Sequence, residues 1–133
     1  MSTPVAAELF ASLEPLTLAG SRCTTCRTVQ FPRAAQCAHC AGEAVEVIDL
    51  PTTGRVWTWT VQRFAPKAPY VPPANGFAPY AVGYVDLGEV LVESILRYDL
   101  ERGLPAIGDE VTLVAVPADG ENVTYAFAPV GAA

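Results

Sequence analysis

The spacing of four cysteines constrains this chain more than any other feature of its sequence. Two Cys-x-x-Cys pairs, Cys23 with Cys26 and Cys37 with Cys40, are separated by ten residues. Each pair can form a tight turn that directs two sulfurs at one point, and two facing turns complete the tetrahedron of thiolates that zinc accepts. The spacer is shorter than is usual for this pattern, but it is long enough for a short hairpin. The sequence therefore predicts one zinc ion bound by the four cysteines.

Other uses of the cysteines are open at this stage. One alternative is a pair of disulfides, although cysteines so close in sequence make poor cross-links and nothing in the chain indicates export. A thioredoxin-like redox pair is a second, although that motif needs a single Cys-x-x-Cys at the start of a helix. Iron is a third, as in rubredoxin, although Arg27 stands where such iron sites usually have glycine. His39, the only histidine of the chain, is an alternative ligand.

A site made of four cysteines leaves no coordination position open for water or substrate, so the predicted zinc is structural. It supplies folding free energy to a segment too small to bury a core of its own. The chain has no cysteine outside this cluster and no second histidine. Its paired carboxylates, such as Asp86 with Glu89 and Asp109 with Glu110, fall at predicted turns, where solvated acids are the ordinary interpretation. We therefore predict no catalytic residue in this chain.

The N-terminal segment has the pattern of a short amphipathic helix. Pro4 suits the first helical position, and Val5, Leu9 and Leu13 recur every four residues. The spacing predicts a helix from Pro4 to Leu13, within an N-terminal unit of residues 1–15. Its apolar face either packs on its own domain or docks on a partner.

Short apolar runs between twelve prolines and ten glycines predict that the rest of the chain is mainly β. Residues 16–45 form the predicted zinc ribbon and residues 46–133 a second domain. Five predicted strands in the second domain match the number in an OB-fold barrel, with Trp57, Trp59 and Tyr84 in its core. The predicted strands are residues 44–50, which lead into the barrel, and residues 55–63, 80–87, 90–96, 110–116 and 122–128.

A segment of different character, residues 65–79, separates the first two barrel strands. Its five prolines exclude both a helix and a central strand. A connection this long is either a linker or a functional loop, and its aromatic residues favour a functional loop. Aromatic side chains are the usual anchors of interfaces. We therefore predict that Tyr70 and Phe77, with Phe64 just before the loop, contact a partner or a ligand.

The net charge of −6 is unevenly distributed along the chain. Residues 68–133 hold nine acids and two arginines, whereas residues 21–67 hold six bases and three acids. An acidic chain repels the phosphodiester backbone, whose attraction to Lys and Arg supplies most non-specific nucleic-acid affinity. A single-stranded nucleic-acid-binding OB protein, whose exposed aromatics stack on bases, is therefore the alternative and not the leading function.

Two sequence features bear on location. The chain has no run of roughly 18 uncharged apolar residues, so no membrane span is predicted. Residues 1–13 contain Glu8 and no Lys or Arg, so they lack the basic start of a signal peptide. We expect the protein to be cytoplasmic.

The order of these motifs resembles the acyl-CoA-associated family of proteins that join a rubredoxin-like zinc ribbon to an OB fold. The resemblance covers nearly the whole chain. The zinc motif alone is generic, whereas its order with the later strand motifs is fairly specific. The matching residues are Cys23, Cys26, Phe31, Pro32, Arg33, Cys37, Cys40, Gly54, Val56, Thr60, residues 79–87 and residues 108–111.

This resemblance implies a non-catalytic accessory subunit. Members of the family are typically accessory subunits of thiolase-fold enzymes, including lipid-transfer-protein-like aldolases that shorten steroid side chains, and others pair with MaoC-type enoyl-CoA hydratases. The resemblance implies a hetero-oligomer in which this chain helps to form or stabilise an acyl-CoA site, with the steroid aldolase as the first choice of partner. Arg55, Arg63 and Lys67 flank the proline-rich loop and are candidates to meet CoA phosphates or a partner's acids. An independent enzyme acting on CoA esters, a hydratase or thioesterase, is a further alternative.

Overall fold

A computed structural model of the chain describes residues 3–4, 7–63, 78–117 and 122–130. Within these ranges the chain forms ten β-strands and one 3-10 turn, with no α-helix, and no helix there is long and apolar enough to cross a membrane. The mainly β class predicted from the sequence is confirmed. The strands are β1 (Thr3–Pro4), β2 (Phe10–Leu13), β3 (Leu16–Cys23), β4 (Val29–Gln30), β5 (Val45–Asp49), β6 (Thr53–Gln62), β7 (Tyr80–Asp86), β8 (Leu91–Leu96), β9 (Glu110–Pro117) and β10 (Asn122–Pro129).

Strands β6 to β10 close into a five-stranded barrel. β6 pairs antiparallel with both β7 and β9, β7 pairs with β8, and β9 pairs with β10. The parallel pairing of β10 with β8, at Phe127 and Leu96, closes the ring. Closure removes free sheet edges, and the alternation of side chains along each strand places one apolar set inside. The predicted five-stranded OB-fold barrel is confirmed.

The ribbon segment and the barrel share one apolar core. β3 is the centre of a second sheet, in which it pairs with β2, β4 and β5. Leu18 of β3 and Leu50, which follows β5, are buried among the inward side chains of the barrel. A 2.7 Å ion pair between Arg22 and Glu89 lies at the same junction. The shared core consists of Leu18, Val29, Leu50, Val56, Ala81, Val85, Leu87, Val92, Leu96, Val111, Leu113 and Phe127.

The helix predicted from Pro4 to Leu13, in the unit 1–15, is wrong. The described residues of this segment form a 3-10 turn, Ala7–Leu9, followed by strand β2, which pairs with β3. Phe10 packs against the core, and its ring meets that of Tyr125 edge to face, with centroids 6.4 Å apart. An isolated helix of about ten residues is marginal in water, whereas the edge of β3 offers backbone hydrogen bonds beside an apolar surface. These tertiary contacts override the four-residue spacing of the apolar side chains.

An irregularity in β6 turns one predicted core tryptophan outward. The register between β6 and β7 shifts between Val56 and Thr58, and an extra residue at such a bulge reverses the alternation of side chains. Val56 is buried, Trp57 is 53% exposed, and Trp59 is half-buried against the core. Tyr84 on β7 is 39% exposed, and its ring meets Trp57 edge to face with centroids 6.3 Å apart. The prediction that Trp57 and Tyr84 fill the barrel core is therefore wrong.

Gly83 on β7 faces the irregular part of β6 without room for a side chain. A Cβ atom there would overlap the Thr58 carbonyl oxygen and lie 2.9 Å from the Cα of Trp59. We predict that Gly83→Ala lowers the free energy of unfolding by about 2–3 kcal/mol, because both obstructing atoms belong to the backbone. Gly103→Ala is the control, since no atom lies within 4 Å of a Cβ there. Urea denaturation followed by circular dichroism checks this, and equal midpoints for the two variants would contradict it.

Candidate metal centre

The four cysteine sulfurs converge on one point. Their Sγ atoms all lie within 4.8 Å of one another, and the Cys23–Cys40 and Cys26–Cys37 pairs are each 3.6 Å apart. Sulfurs at the corners of a tetrahedron with metal–sulfur bonds of about 2.3 Å are about 3.8 Å apart. The sulfurs of a disulfide are about 2.05 Å apart, and all four cysteines are free thiols. The spacing therefore fits a tetrahedral metal ion and not two disulfides.

The two Cys-x-x-Cys turns are near copies of each other. In each turn the N–H of the first cysteine donates to the carbonyl five residues later, over 2.9 Å to Thr28 and 2.8 Å to Gly42. The N–H that follows the second cysteine donates to the carbonyl of the first over 2.9 Å in both turns. The residue that carries this N–H has a positive φ, 70° at Arg27 and 64° at Ala41. One backbone conformation, used twice, thus directs two pairs of sulfurs at the same point.

The strands of the ribbon hold the two turns against each other. Cys23 is the last residue of β3, and Gln30 is the last residue of β4. The side-chain carbonyl of Gln30 accepts a hydrogen bond of 2.5 Å from the N–H of Ala38, which lies inside the second turn. The Thr24 N–H in the first turn donates to the Ala44 carbonyl over 2.8 Å. Backbone and amide hydrogen bonds therefore fix the position of the sulfurs.

Hydrogen bonds affect the four thiols unequally. The Cys26 N–H, 3.4 Å from Cys23 Sγ, lowers the pKa of Cys23 to about 6. A hydrogen bond with the Thr28 hydroxyl lowers the pKa of Cys26. The Gly42 N–H favours the Cys40 thiolate, but the neighbouring sulfurs and burial outweigh it and raise the pKa of Cys40 to about 12. Adjacent sulfurs cannot all carry negative charge without a cation between them, so the chemistry of this set fits a dication that keeps all four as thiolates.

His39 is not part of the sulfur set. The residue is exposed, and its backbone N–H donates to Cys37 Sγ over 3.4 Å. Four sulfurs complete the coordination of a zinc ion, so no position is left for water or for a reactant. The arrangement can stabilise the ribbon but offers no metal-based chemistry.

The other predicted contact residues are not brought together. Arg55 lies near the start of β6 and Arg63 just after its end, which places them roughly 25 Å apart along an extended strand. Both are exposed, and the Arg55 guanidinium donates to the Gly108 carbonyl over 3.0 Å. Contact with a partner or a ligand stays a prediction for all six residues. The remaining four, which lie outside the described residues, are Phe64, Lys67, Tyr70 and Phe77.

Sequence reasoning missed the exposed aromatic pair formed by Trp57 and Tyr84. Strict alternation along the predicted strand put Trp57 on the same face as Trp59, because a bulge leaves no mark in the alternation itself. The one available signal was Gly83, since a glycine inside a strand often marks a bulge or a close backbone approach. That signal locates the irregularity but does not say which neighbouring side chains it exposes.

Replacing one ligand tests the structural role of the metal. We predict that Cys37→Ser abolishes stoichiometric zinc binding and leaves the protein unfolded or insoluble, because the binding free energy of a structural zinc is also folding free energy. His39→Ala is the control and should keep one zinc per chain, since His39 lies outside the sulfur set. Metal analysis and thermal denaturation measure both properties. A folded, zinc-free Cys37→Ser protein would refute the structural role.

Ala41 tests the cost of the left-handed turn. A non-glycine residue at positive φ costs roughly 1–2 kcal/mol, so Ala41→Gly should raise the free energy of unfolding of the zinc-bound protein by about 1 kcal/mol. Ala38→Gly in the same turn is the control, because Ala38 has no positive φ and glycine there only frees the unfolded chain. We expect guanidinium denaturation to show opposite shifts for the two variants. Destabilisation by both would mean that the turn stores no such strain.

Comparison with known proteins agrees with this geometry. Residues 12–46 match the family described as ChsH2, rubredoxin-like zinc ribbon domain, and residues 47–116 match ChsH2, C-terminal OB-fold domain. The chain is 35% identical over 115 residues to a DUF35 domain-containing scaffold protein of Methanocaldococcus jannaschii, covering 83% of this chain and 78% of that protein. It is 32% identical over 74 residues to the benzoylsuccinyl-CoA thiolase subunit BbsA of Thauera aromatica, covering 56% of this chain. The match spans about half, 46%, of that thiolase subunit.

Two solved structures are also similar. The Ltp2-ChsH2(DUF35) aldolase matches with a TM-score of 0.66 and 27% identity, over 92% of this chain and 92% of the matched chain. A DUF35-family protein of unknown function from Sulfolobus solfataricus matches with a TM-score of 0.56 and 14% identity, over 92% of this chain and 86% of that chain. The second similarity concerns the fold alone.

The two family matches follow each other along the chain and together extend from residue 12 to residue 116. The four sulfurs fall inside the first match and most of the barrel inside the second. The predicted family and the predicted structural zinc ion are therefore confirmed. This chain belongs to the ChsH2 (DUF35) family, whose members join a rubredoxin-like zinc ribbon to an OB fold.

Proposed function

We propose that this chain is a non-catalytic accessory subunit that binds a thiolase-fold enzyme in a hetero-oligomer and helps to form or stabilise its acyl-CoA site. The enzyme of first choice is a lipid-transfer-protein-like aldolase that shortens steroid side chains. In this proposal the complex acts in the cytoplasm, and the chain works as a ribbon of residues 16–45 followed by an OB domain of residues 46–133.

The observation that carries the proposal is the similarity to the Ltp2-ChsH2(DUF35) aldolase, which extends over 92% of this chain. The relatives support a role beside an enzyme, because one is a thiolase subunit and another a scaffold protein. The metal centre supports it as well. A closed set of four sulfurs stabilises a fold and gives a reactant no access to the ion.

Within this proposal the predicted contact residues serve different purposes. The cationic ones are suited to CoA phosphates or to acidic residues of the enzyme, and the aromatic ones to apolar anchoring. Because Arg55 and Arg63 lie at opposite ends of β6, we assign them to separate contacts. The cationic residues are Arg55, Arg63 and Lys67, and the aromatic ones are Phe64, Tyr70 and Phe77.

Co-expression tests the proposal. We predict that the chain forms a stable complex with the thiolase-fold protein encoded beside it in the host, and that the complex cleaves or binds acyl-CoA better than either protein alone. Size-exclusion chromatography with light scattering gives the stoichiometry, and turnover of CoA esters gives the activity. A thiolase from a genome that lacks this family is the control and should remain uncomplexed.

Two outcomes would overturn the proposal. The first is an enzyme that is soluble and fully active alone and forms no complex with this chain. The second is turnover of a CoA ester by the isolated, tag-free chain, which would make it an enzyme.

Titration with a fluorescent single-stranded oligonucleotide at low salt tests the nucleic-acid alternative, which tight binding would favour.

A further inference from the structure

Three adjacent barrel strands present an exposed apolar surface. Side chains that pair across β6, β7 and β8 form rows, and the rows through Val56 and through Ala81 point into the buried core. Of the three rows between them, the row through Gly83 and the buried Ser94 also points inward, and the rows through Tyr84 and through Val82 lie on the outer face of the barrel. We call this surface the β6–β8 face. It also includes the bulged Trp57 and the exposed row beyond Val56, and it consists of Arg55, Trp57, Thr58, Thr60, Val82, Tyr84, Asp86, Leu91, Glu93 and Ile95.

The β6–β8 face exposes large apolar side chains that lie outside the buried core of the barrel. Trp57, Tyr84 and Leu91 are 53%, 39% and 37% exposed, and the rings of Trp57 and Tyr84 hold each other edge to face. Contiguous exposed apolar surface marks interaction sites, and Trp and Tyr are the residues most enriched among interface anchors. The aromatic pair is thus a preformed anchor on the surface of the barrel.

The charge of this face selects among occupants. A groove of about 500 Å³ adjoins the face, and it is also lined by Trp59, Gly83 and Ser94 of the row between its two rows and by Thr124 and Tyr125 of β10. Glu93 is the charged residue among the described residues that line the groove. At the end of the face the Arg55 guanidinium is already bonded to the Gly108 carbonyl. Asp86 and Glu93 outnumber Arg55 among the rows of this face, so its net charge is negative and nucleic acid fits it poorly. A surface with an apolar centre and a basic side chain opposite Glu93 is complementary to it.

The extent of the face favours a protein over a small molecule. Trp57 and Leu91 are exposed but do not line the groove. A small ligand that filled the groove would therefore leave both side chains in water, whereas a protein surface laid across the three strands would cover them together with Tyr84.

We infer that the β6–β8 face is the surface on which the enzyme subunit docks, with an apolar centre against Trp57 and Tyr84 and a basic side chain against Glu93. This inference rests on the proposed function and adds the location and the chemistry of the interface. It places the contact on strands β6, β7 and β8 of the barrel.

Surface variants test the inference in the complex. Trp57→Ala combined with Tyr84→Ala should weaken binding of the enzyme about 30-fold or more, as loss of central aromatic anchors does. Val47→Ala combined with Ile107→Ala is the matched control, because those side chains are 60% and 73% exposed but lie outside the face. Both double variants should keep one zinc per chain and the unfolding midpoint of the wild type. Binding is measured by biolayer interferometry with the purified enzyme.

Charge reversal provides a second measurement. Glu93→Lys should slow association with the enzyme and invert its dependence on salt, because like charges then face each other. Glu46→Lys makes the same change of charge at an exposed site on β5 and should leave the association rate and its salt dependence unchanged. Equal effects of the two reversals would mean that the net charge of the chain matters and not the position of Glu93, and would overturn the inference.

The failures of the two proposals are distinguishable. Wild-type binding to the enzyme by a Trp57→Ala, Tyr84→Ala variant overturns the docking surface and leaves the accessory role standing. A wild-type chain that does not bind the enzyme overturns both. If the isolated chain is a dimer and this variant is a monomer, the face binds a second copy of the chain and the inference is wrong. If the variant no longer binds a fluorescent acyl-CoA but still binds the enzyme, the face binds a ligand and the inference is also wrong.

Discussion

The convergence of four sulfurs is the constraint on which the rest of this structure depends. Each pair of cysteines is held by a local turn, but the two turns face each other only because β3, β4 and β5 are assembled behind them. β3 runs directly into Cys23 and at the same time buries Leu18 in the core that it shares with the barrel. Ordering the metal site therefore orders one wall of the core. The zinc ion acts as a structural element of the whole chain and not of a small appended module.

Local chemistry explains what the sequence predicts well. The cysteine set follows from spacing, because both turns are built from neighbouring residues and differ little from each other. The barrel strands follow from alternation and from the glycines and prolines between them, and the observed β7, Tyr80–Asp86, differs from the predicted strand by one residue. In both cases the determining interactions lie within a few residues of each other along the chain.

Long-range pairing explains what the sequence does not predict. The segment before β3 has apolar residues at helical spacing, yet Phe10 lies opposite Leu18 in a sheet because the edge of β3 and the Tyr125 ring are present beside it. Trp57 faces solvent because β6 shifts its register against β7, a property of two strands and not of one. The exposed aromatic pair, which is the basis of the inferred docking surface, depends on this shift. A periodicity rule applied to one strand at a time cannot locate it.

Among the described residues, no Lys or Arg lines the groove beside the β6–β8 face. The described part of this barrel differs in this respect from OB folds that bind nucleic acid through cationic side chains and stacked bases. The same strands that would carry such a site carry instead an aromatic pair beside a carboxylate. The proposed docking surface thus lies on the outer strands of the barrel, whereas the metal site lies in the ribbon.

The core shared between ribbon and barrel also limits how the two parts can be recombined. Leu18 and Val29 come from the ribbon and fill space among side chains of the barrel and Leu50, which follows β5. A ribbon transplanted onto another OB barrel would leave Leu18 and Val29 without matching neighbours, and the barrel that lost the ribbon would keep a cavity where they had been. A chimera within this family therefore has to exchange these two side chains together with the barrel residues that they contact.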